Sequence, residues 1–211
     1  MSGRREEILD AAVAIADERG LKAVSMRAVA ERVGLTPMAL YPHVGGSKDA
    51  LLDGMIGRLL APLPQDAAWT GAPDWRERLR VLGHAARAMT QQHPWAAVLL
   101  FSRPGVDPGA VRTIDGIYAA LLDAGVPPRE VPRLERLVST FIIGFAASEA
   151  SGRFGRGRLD PRGRRGQLPD GALPAHTELA RWLEQPVDWE AEFEADLRDL
   201  QRLIEAAAER G

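Results

Sequence analysis

An all-α fold is predicted for this chain: an N-terminal three-helix helix-turn-helix domain joined by a linking helix to a larger C-terminal helical domain. Three observations predict it. Apolar residues recur at three- and four-residue spacing in almost every segment. Ser25, Thr36, Ser47, Asp74 and Asp188 stand where helix N-caps are expected. A length of 211 residues with 45% hydrophobic content suits one or two globular domains with a real core.

Composition removes several chemistries. The chain has no Cys, which excludes disulfides, thiol catalysis and thiolate metal sites and suits a reducing compartment. No apolar run approaches the roughly 18 residues of a membrane helix, and MSGRREEILDAA turns amphipathic at once, unlike a signal peptide. A cytoplasmic protein without membrane association is therefore expected. The net charge of -2 argues against indiscriminate polyanion binding. Any nucleic-acid contact must come from local geometry.

Taken in order, residues 4–19 place Ile8, Leu9, Ala12, Val13, Ile15 and Ala16 at helical spacing, with Gly20 as the stop. Ser25 caps a second helix, Met26 to Val33, whose inner face is Met26, Val29, Ala30 and Val33. Gly34 reverses the chain, and Thr36-Pro37 opens a third helix as N-cap and first-turn proline. Helix, Gly-centred turn and helix, anchored by Leu35 and Leu40, form a helix-turn-helix pattern whose second member enters a DNA major groove. By spacing alone, a helical hairpin in an ordinary bundle remains open, with Tyr41 and His43 as half-buried packing residues.

The residues then carry a resemblance. ILDAA, GL-x-x-V-S-M-R-x-V-A-x-x-V-G-L, ALY-x-H-V and SKDALLD, together about the first quarter of the chain, resemble the N-terminal domain of the tetracycline-repressor (TetR-like) family of bacterial regulators. The resemblance implies a homodimer with two such modules on a palindromic double-stranded DNA operator. It also implies a small-molecule effector in the larger domain that releases the DNA, most often making the protein a repressor. Within that frame Tyr41 suits a phosphate or a thymine methyl, and His43 a phosphate or base edge. Thr36 and the helix start at Pro37, Met38 and Ala39 suit a phosphate oxygen, and Arg27 and Lys48 supply charge.

Two departures are expected to matter. Between Thr36 and Ser47 there is no Arg, Lys, Asn or Gln, so the usual bidentate base contacts are missing and readout leans on Tyr41, His43, methyl contacts and DNA shape. Pro42 removes the bond to the Met38 carbonyl and is expected to push Tyr41 from helical angles, so that the helix ends or kinks there. The first 46 residues form the reading domain, and Ser47 caps the connecting helix, residues 47–61. Gly45-Gly46 is either a flexible joint or a simple loop.

Residues 62–74, rich in Pro, Gly and Ala, read as a surface linker, and the C-terminal ligand-binding and dimerisation domain is expected from 74 to 211. Its helices run from Trp75 to about Gln92, Trp95 to about Phe101, Val111 to Ala124 and about Val131 to Gly152. The last is apolar nearly all round. Thr140, Gly144, Ser148 and Gly152 form a stripe of small residues, suited to a subunit interface or to a neighbour in the same chain. Residues 153–175 read as a mobile loop, with six Arg between 153 and 165 that either meet DNA phosphates or are simply solvated. A short helix spans 179–183. A final helix capped by Asp188 keeps a heptad-like seam of Phe193, Leu197, Leu200 and Ile204, with Glu190, Glu192, Glu194, Asp196 and Asp199 outward. The resemblance implies that this seam and the small-residue stripe meet their copies across a two-fold axis.

Catalytic signals are missing: no HExxH, no GxSxG, no phosphate loop and no metal-ligand spacing among His43, His84, His93 and His176. Neither enzyme activity, a cofactor nor a metal is expected. Aromatic and soft apolar residues of the larger domain, Trp75, Leu82, Met89, Trp95, Phe101, Tyr118, Phe141 and Phe145, are the expected lining of a pocket for a hydrophobic or aromatic guest, His84 or His93 adding a polar contact. The same residues would also serve as core.

Overall fold

The computed structural model describes residues 2–154, 166–169 and 171–210, which contain helices and turns and no strand. No described helix is long and apolar enough to cross a membrane. Part of the Arg-rich stretch expected at 153–165, and part of the loop expected at 153–175, lie outside the described residues.

Helix α1 (Ser2–Arg19) buries Ile8, Leu9, Ala12, Ile15 and Ala16 against α2 (Met26–Arg32) and the elements that follow. Ser25 caps α2 by accepting from the Ala28 amide at 3.1 Å. Gly34, at φ 67°, closes the helix: Leu35 N donates to Ala30 O at 2.8 Å and Gly34 N to Glu31 O at 3.3 Å. That pair of reverse bonds needs a left-handed residue, which explains a glycine there. Helix α3 (Pro37–Leu40) starts two residues later, with Thr36 Oγ1 accepting from Ala39 N at 3.2 Å.

The α-helix ends at Leu40, as expected beside Pro42, but the proline does not push Tyr41 from helical angles. Tyr41 keeps helical angles (φ -51°, ψ -46°), and the chain tightens into a 3-10 turn over Tyr41–His43, with Val44 N bonded to Tyr41 O at 3.2 Å. A 3-10 turn reaches back three residues instead of four, so the proline falls in its first turn, where no N–H is needed. The short α-helix thus ends before Tyr41, and the chain continues as a 3-10 turn.

Helix α4 (Lys48–Leu60), capped by Ser47 at 3.0 Å from Ala50 N, belongs to both halves. Leu51, Met55 and Ile56 complete the N-terminal core. One turn on, Gly57 meets the start of α8 (Pro108–Asp123) so closely that a Cβ on Gly109 would lie 2.1 Å from Gly57 O. The segment expected as a free linker is partly folded. It holds a 3-10 turn, Leu63–Gln65, and α5 (Ala67–Thr70), with Leu63 and Trp69 laid on the second core and the Trp69 ring over Gly116.

Helices α6 (Trp75–Gln92), α8, α9 (Val131–Ala150) and α12 (Trp189–Ala208) enclose the second core. Between α6 and α8, α7 (Ala96–Ser102) leaves that core and packs with the N-terminal one through Ala96 and Leu99. Before α12 the chain makes two short helices, α10 (Pro174–Glu178) and α11 (Ala180–Leu183), so the irregular stretch ends sooner than expected.

The α12 seam is a correction. Phe193, Leu197, Leu200 and Ile204 are all buried within this one chain, because Gly83 of α6 leaves room for α12: a Cβ there would stand 3.2 Å from both Phe193 and Leu197. They have no free surface for a second subunit. Glu194 is also drawn inward, since it takes His84 at 2.6 Å and Arg80 at 3.1 Å, while Glu190 stays exposed as expected and pairs with Arg87.

Candidate nucleic-acid interface and cavity

The reading surface is built by the turn and cap bonds around α3. Arg27, Thr36, Pro37, Met38, Ala39, His43 and Lys48 are all exposed, and Tyr41 is half-buried against the core. Met38, 78% exposed, is a large apolar side chain held in solvent by a four-residue helix. It offers an apolar tip to solvent, and Thr36, Tyr41, His43 and Lys48 beside it offer hydrogen-bond donors. The eight expected residues lie on α2, on α3 with its cap and following turn, and at the start of α4, and α2 packs against α3.

The expected pocket residues scatter. A cavity of about 160 Å³ lies where α4, α6, α7, α8 and α9 converge, and of the eight only Leu82 and Met89 line it. Trp75 is packed in the second core. Trp95 belongs to the N-terminal core, its indole N–H donating to Asp17 Oδ1 at 2.7 Å. Phe101 is 57% exposed, and Tyr118 packs at the edge of the second core. Phe141 stacks with Phe193 at a ring distance of 6.2 Å, and Phe145 meets it tilted at 4.7 Å. Aromatic rings here mostly fill contacts between helices, and the cavity walls are aliphatic.

Sequence reasoning missed the cavity's own walls: Ile56 and Leu60 of α4, Ile114 and Ile117 of α8, and Ile142 and Ile143 of α9. It also missed the polar ones, Arg103, Thr113, Glu135 and Ser139. A signal existed for two of them. Glu135 and Ser139 stand four apart, in register with Ile142, on a largely apolar helix.

Arg103 has the widest reach of these. From the loop after α7 its Nε donates to Asp53 Oδ1 at 2.6 Å, Nη1 to Asp49 Oδ1 at 3.0 Å and Nη2 to Asp49 O at 3.1 Å. The bond to Asp53 above all raises the guanidinium pKa, so the charge is permanent. Arg103 thereby ties the cavity wall to the first turn of α4, beside Lys48. A second tie lies at the helix crossing, where Asp107 Oδ2 accepts from Arg5 Nη2 at 2.6 Å and Oδ1 accepts from Gly109 N at 3.0 Å.

One cluster has metal-ligand chemistry on paper. Ligand atoms of His84, Glu190 and Glu194 lie within 4.8 Å of one another. Arg80 and Arg87 already hold these carboxylates, and Arg87 also binds Glu149 at 2.6 and 2.7 Å, keeping that carboxyl below its ordinary pKa. Two guanidiniums in contact with the ligands oppose a cation, so the cluster reads as the lock of α12 onto α6 and α9.

Comparison with known proteins matches residues 8–55 to the model of bacterial regulatory proteins of the tetR family and residues 68–205 to the tetracyclin repressor-like C-terminal domain. An HTH-type transcriptional regulator of Saccharopolyspora erythraea is 32% identical over 149 residues, covering 69% of this chain and 61% of that protein. The HTH-type transcriptional repressor DrrR1 of Streptomyces coeruleorubidus is 31% identical over 144 residues, covering 68% of this chain and 53% of its own length. The matched region thus spans little more than half of these relatives. Two solved structures from Streptomyces coelicolor, a TetR transcriptional regulator and the TetR family protein ActR in complex with (S)-DNPA, each align with TM-score 0.78 at 25% identity, covering 97% of this chain and 98% of theirs. A matched reading domain, a matched C-terminal domain and a shared overall architecture lead to one conclusion: the chain belongs to the tetR family of bacterial regulatory proteins.

Proposed function

We propose that the protein is a ligand-responsive transcriptional repressor that binds a palindromic operator as a homodimer and is released by a small hydrophobic effector. The observation that carries the reading is the double membership of α4. Ile56 and Leu60 wall the cavity, and the other end of the same helix presents Lys48 beside the recognition helix. A guest that favours a displaced α4 lowers operator affinity by its differential affinity for the two arrangements and no more. The repressor name of DrrR1 and the ligand complex of ActR support this reading.

For the dimer, the stripe of Thr140, Gly144 and Ser148 supports α9 as the interface, since Thr140 is exposed and Gly144 and Ser148 are half-exposed in the single chain. Leu203, 55% exposed on the outer face of α12, replaces the buried seam as its partner there. Two reading surfaces then stand about 34 Å apart, one turn of DNA.

The test is selection of duplexes from a random pool, followed by fluorescence anisotropy at increasing salt. A palindromic site is expected, with affinity falling steeply as salt rises. Lys48→Ala should reduce the salt slope by about one unit per protomer. Tyr41→Ala should remove operator binding with the dimer intact by sedimentation. Recovery of no preferred duplex, or salt-independent affinity, would count against the reading.

A further inference from the structure

The cavity's charges are not balanced. Arg103, its one cationic wall residue, is held by Asp53 and Asp49. Thr113 directs its hydroxyl to Gly109 O at 3.2 Å and Leu60 O at 3.3 Å. Glu135 has a single hydrogen bond, accepted at Oε1 from the Ser139 hydroxyl at 2.7 Å on its own helix. Among the described residues no Arg, Lys or His pairs with it. Arg136, next in sequence, is exposed, and Arg133 pairs with Glu130. A half-buried carboxylate thus stands on an aliphatic wall with one hydroxyl for company, an arrangement that favours an incoming cation.

We infer that the ligand of this cavity is a compact lipophilic amine, its protonated nitrogen on Glu135 and its apolar body between α4, α8 and α9. The inference rests on the effector reading of the same cavity. Size sets the body: about 160 Å³ is close to the roughly 150 Å³ that accepts one benzene ring. Ile114, Ile117, Ile142 and Ile143 supply its apolar walls. The nitrogen donates to Glu135 while Ser139 keeps its bond to Oε1, so no partner is lost on binding. An anionic guest would instead face Glu135, and the one cation of the wall, Arg103, is already charge-paired with Asp53 and Asp49.

The test is calorimetric titration of the full chain with phenethylamine, phenethyl alcohol and phenylacetate at neutral pH, three guests of similar body and different charge. The amine is expected to bind about 10- to 100-fold tighter than the alcohol, the range of a charge-assisted hydrogen bond. Phenylacetate should be weakest. Glu135→Gln preserves an acceptor for Ser139 and should bring the amine to the alcohol's affinity without changing the alcohol. Glu135→Ala, as a second variant with its fold checked by circular dichroism, should do the same. Equal or tighter binding of phenylacetate or the alcohol, a preference that survives both variants, or no binding of the amine at millimolar concentration overturns the inference. Operator anisotropy in parallel separates the two readings. Binding of the amine through Glu135 without release leaves the ligand class standing and removes the effector role; release by the neutral or anionic guest alone does the reverse.

Discussion

Gly109→Ala tests how the two halves of the molecule are joined. The added methyl would stand 2.1 Å from Gly57 O, 2.8 Å from Gly57 C and 3.1 Å from Gly57 Cα. An unstrained carbon-to-oxygen contact is about 3.3 Å, so α4 and α8 must separate by roughly 1 Å. No rotamer change relieves this, because the obstacle is backbone. Separation would loosen the Thr113 hydroxyl from Leu60 O and disturb Asp107, which is 8% exposed and paired with Arg5. Overpacking of this kind costs about 2–3 kcal/mol. For a chain of this size that lowers the melting temperature by roughly 4–12 °C. Gly105→Ala is the control: its methyl meets the tip of Ile114 at 3.1 Å, a flexible group, and should cost under about 1 kcal/mol. The assay is thermal and urea unfolding followed by circular dichroism. A Gly109→Ala protein within about 0.5 kcal/mol of the parent would refute backbone contact at this crossing.

Two further outcomes follow from the ties on α4 and from the α9 stripe. Arg103→Gln and Asp53→Asn, singly and together, should give a coupling energy of about 1–2 kcal/mol in urea unfolding, since both side chains are only 19% exposed; additive effects would mean that the clamp holds nothing. Arg103→Gln should also weaken operator binding several-fold, measured by anisotropy, by freeing the first turn of α4. For the stripe, Gly144→Leu should leave the subunit folded, because a Cβ there finds only the Phe101 ring at 4.0 Å, yet shift the protein to monomer by sedimentation. A dimer of parental stability would place the interface elsewhere.

Legibility varied with the range of the forces involved. The caps at Ser25, Thr36, Ser47, Asp74 and Asp188 all accept the amide bonds expected of them, the last two at 2.9 Å from Glu77 N and 3.0 Å from Glu190 N. Each is a bond within three residues, so the local string suffices. The helix-turn-helix itself was legible for the same reason. The pocket was not, because aromatic content does not say whether a ring meets a void or another ring. Trp95 went to the N-terminal core with α7, and Phe141 and Phe145 went to Phe193. The end of α3 before Pro42 was legible, but the angles of Tyr41 were not, because the expectation assumed α-helical bonding up to the proline, whereas the 3-10 turn shifts its position in the ladder.

The sequence by itself determined the helices, their caps and the recognition turn, since periodicity and capping act over a single turn of chain. Which faces meet was decided only in three dimensions. Gly83 admits α12 and so turns Phe193, Leu197, Leu200 and Ile204 inward, and Gly57 against Gly109 sets the crossing of α4 and α8. Ile56, Arg103 and Glu135 come from distant parts of the chain to wall one cavity. Close packing makes such choices depend on a few missing Cβ atoms, whose partners lie tens of residues away.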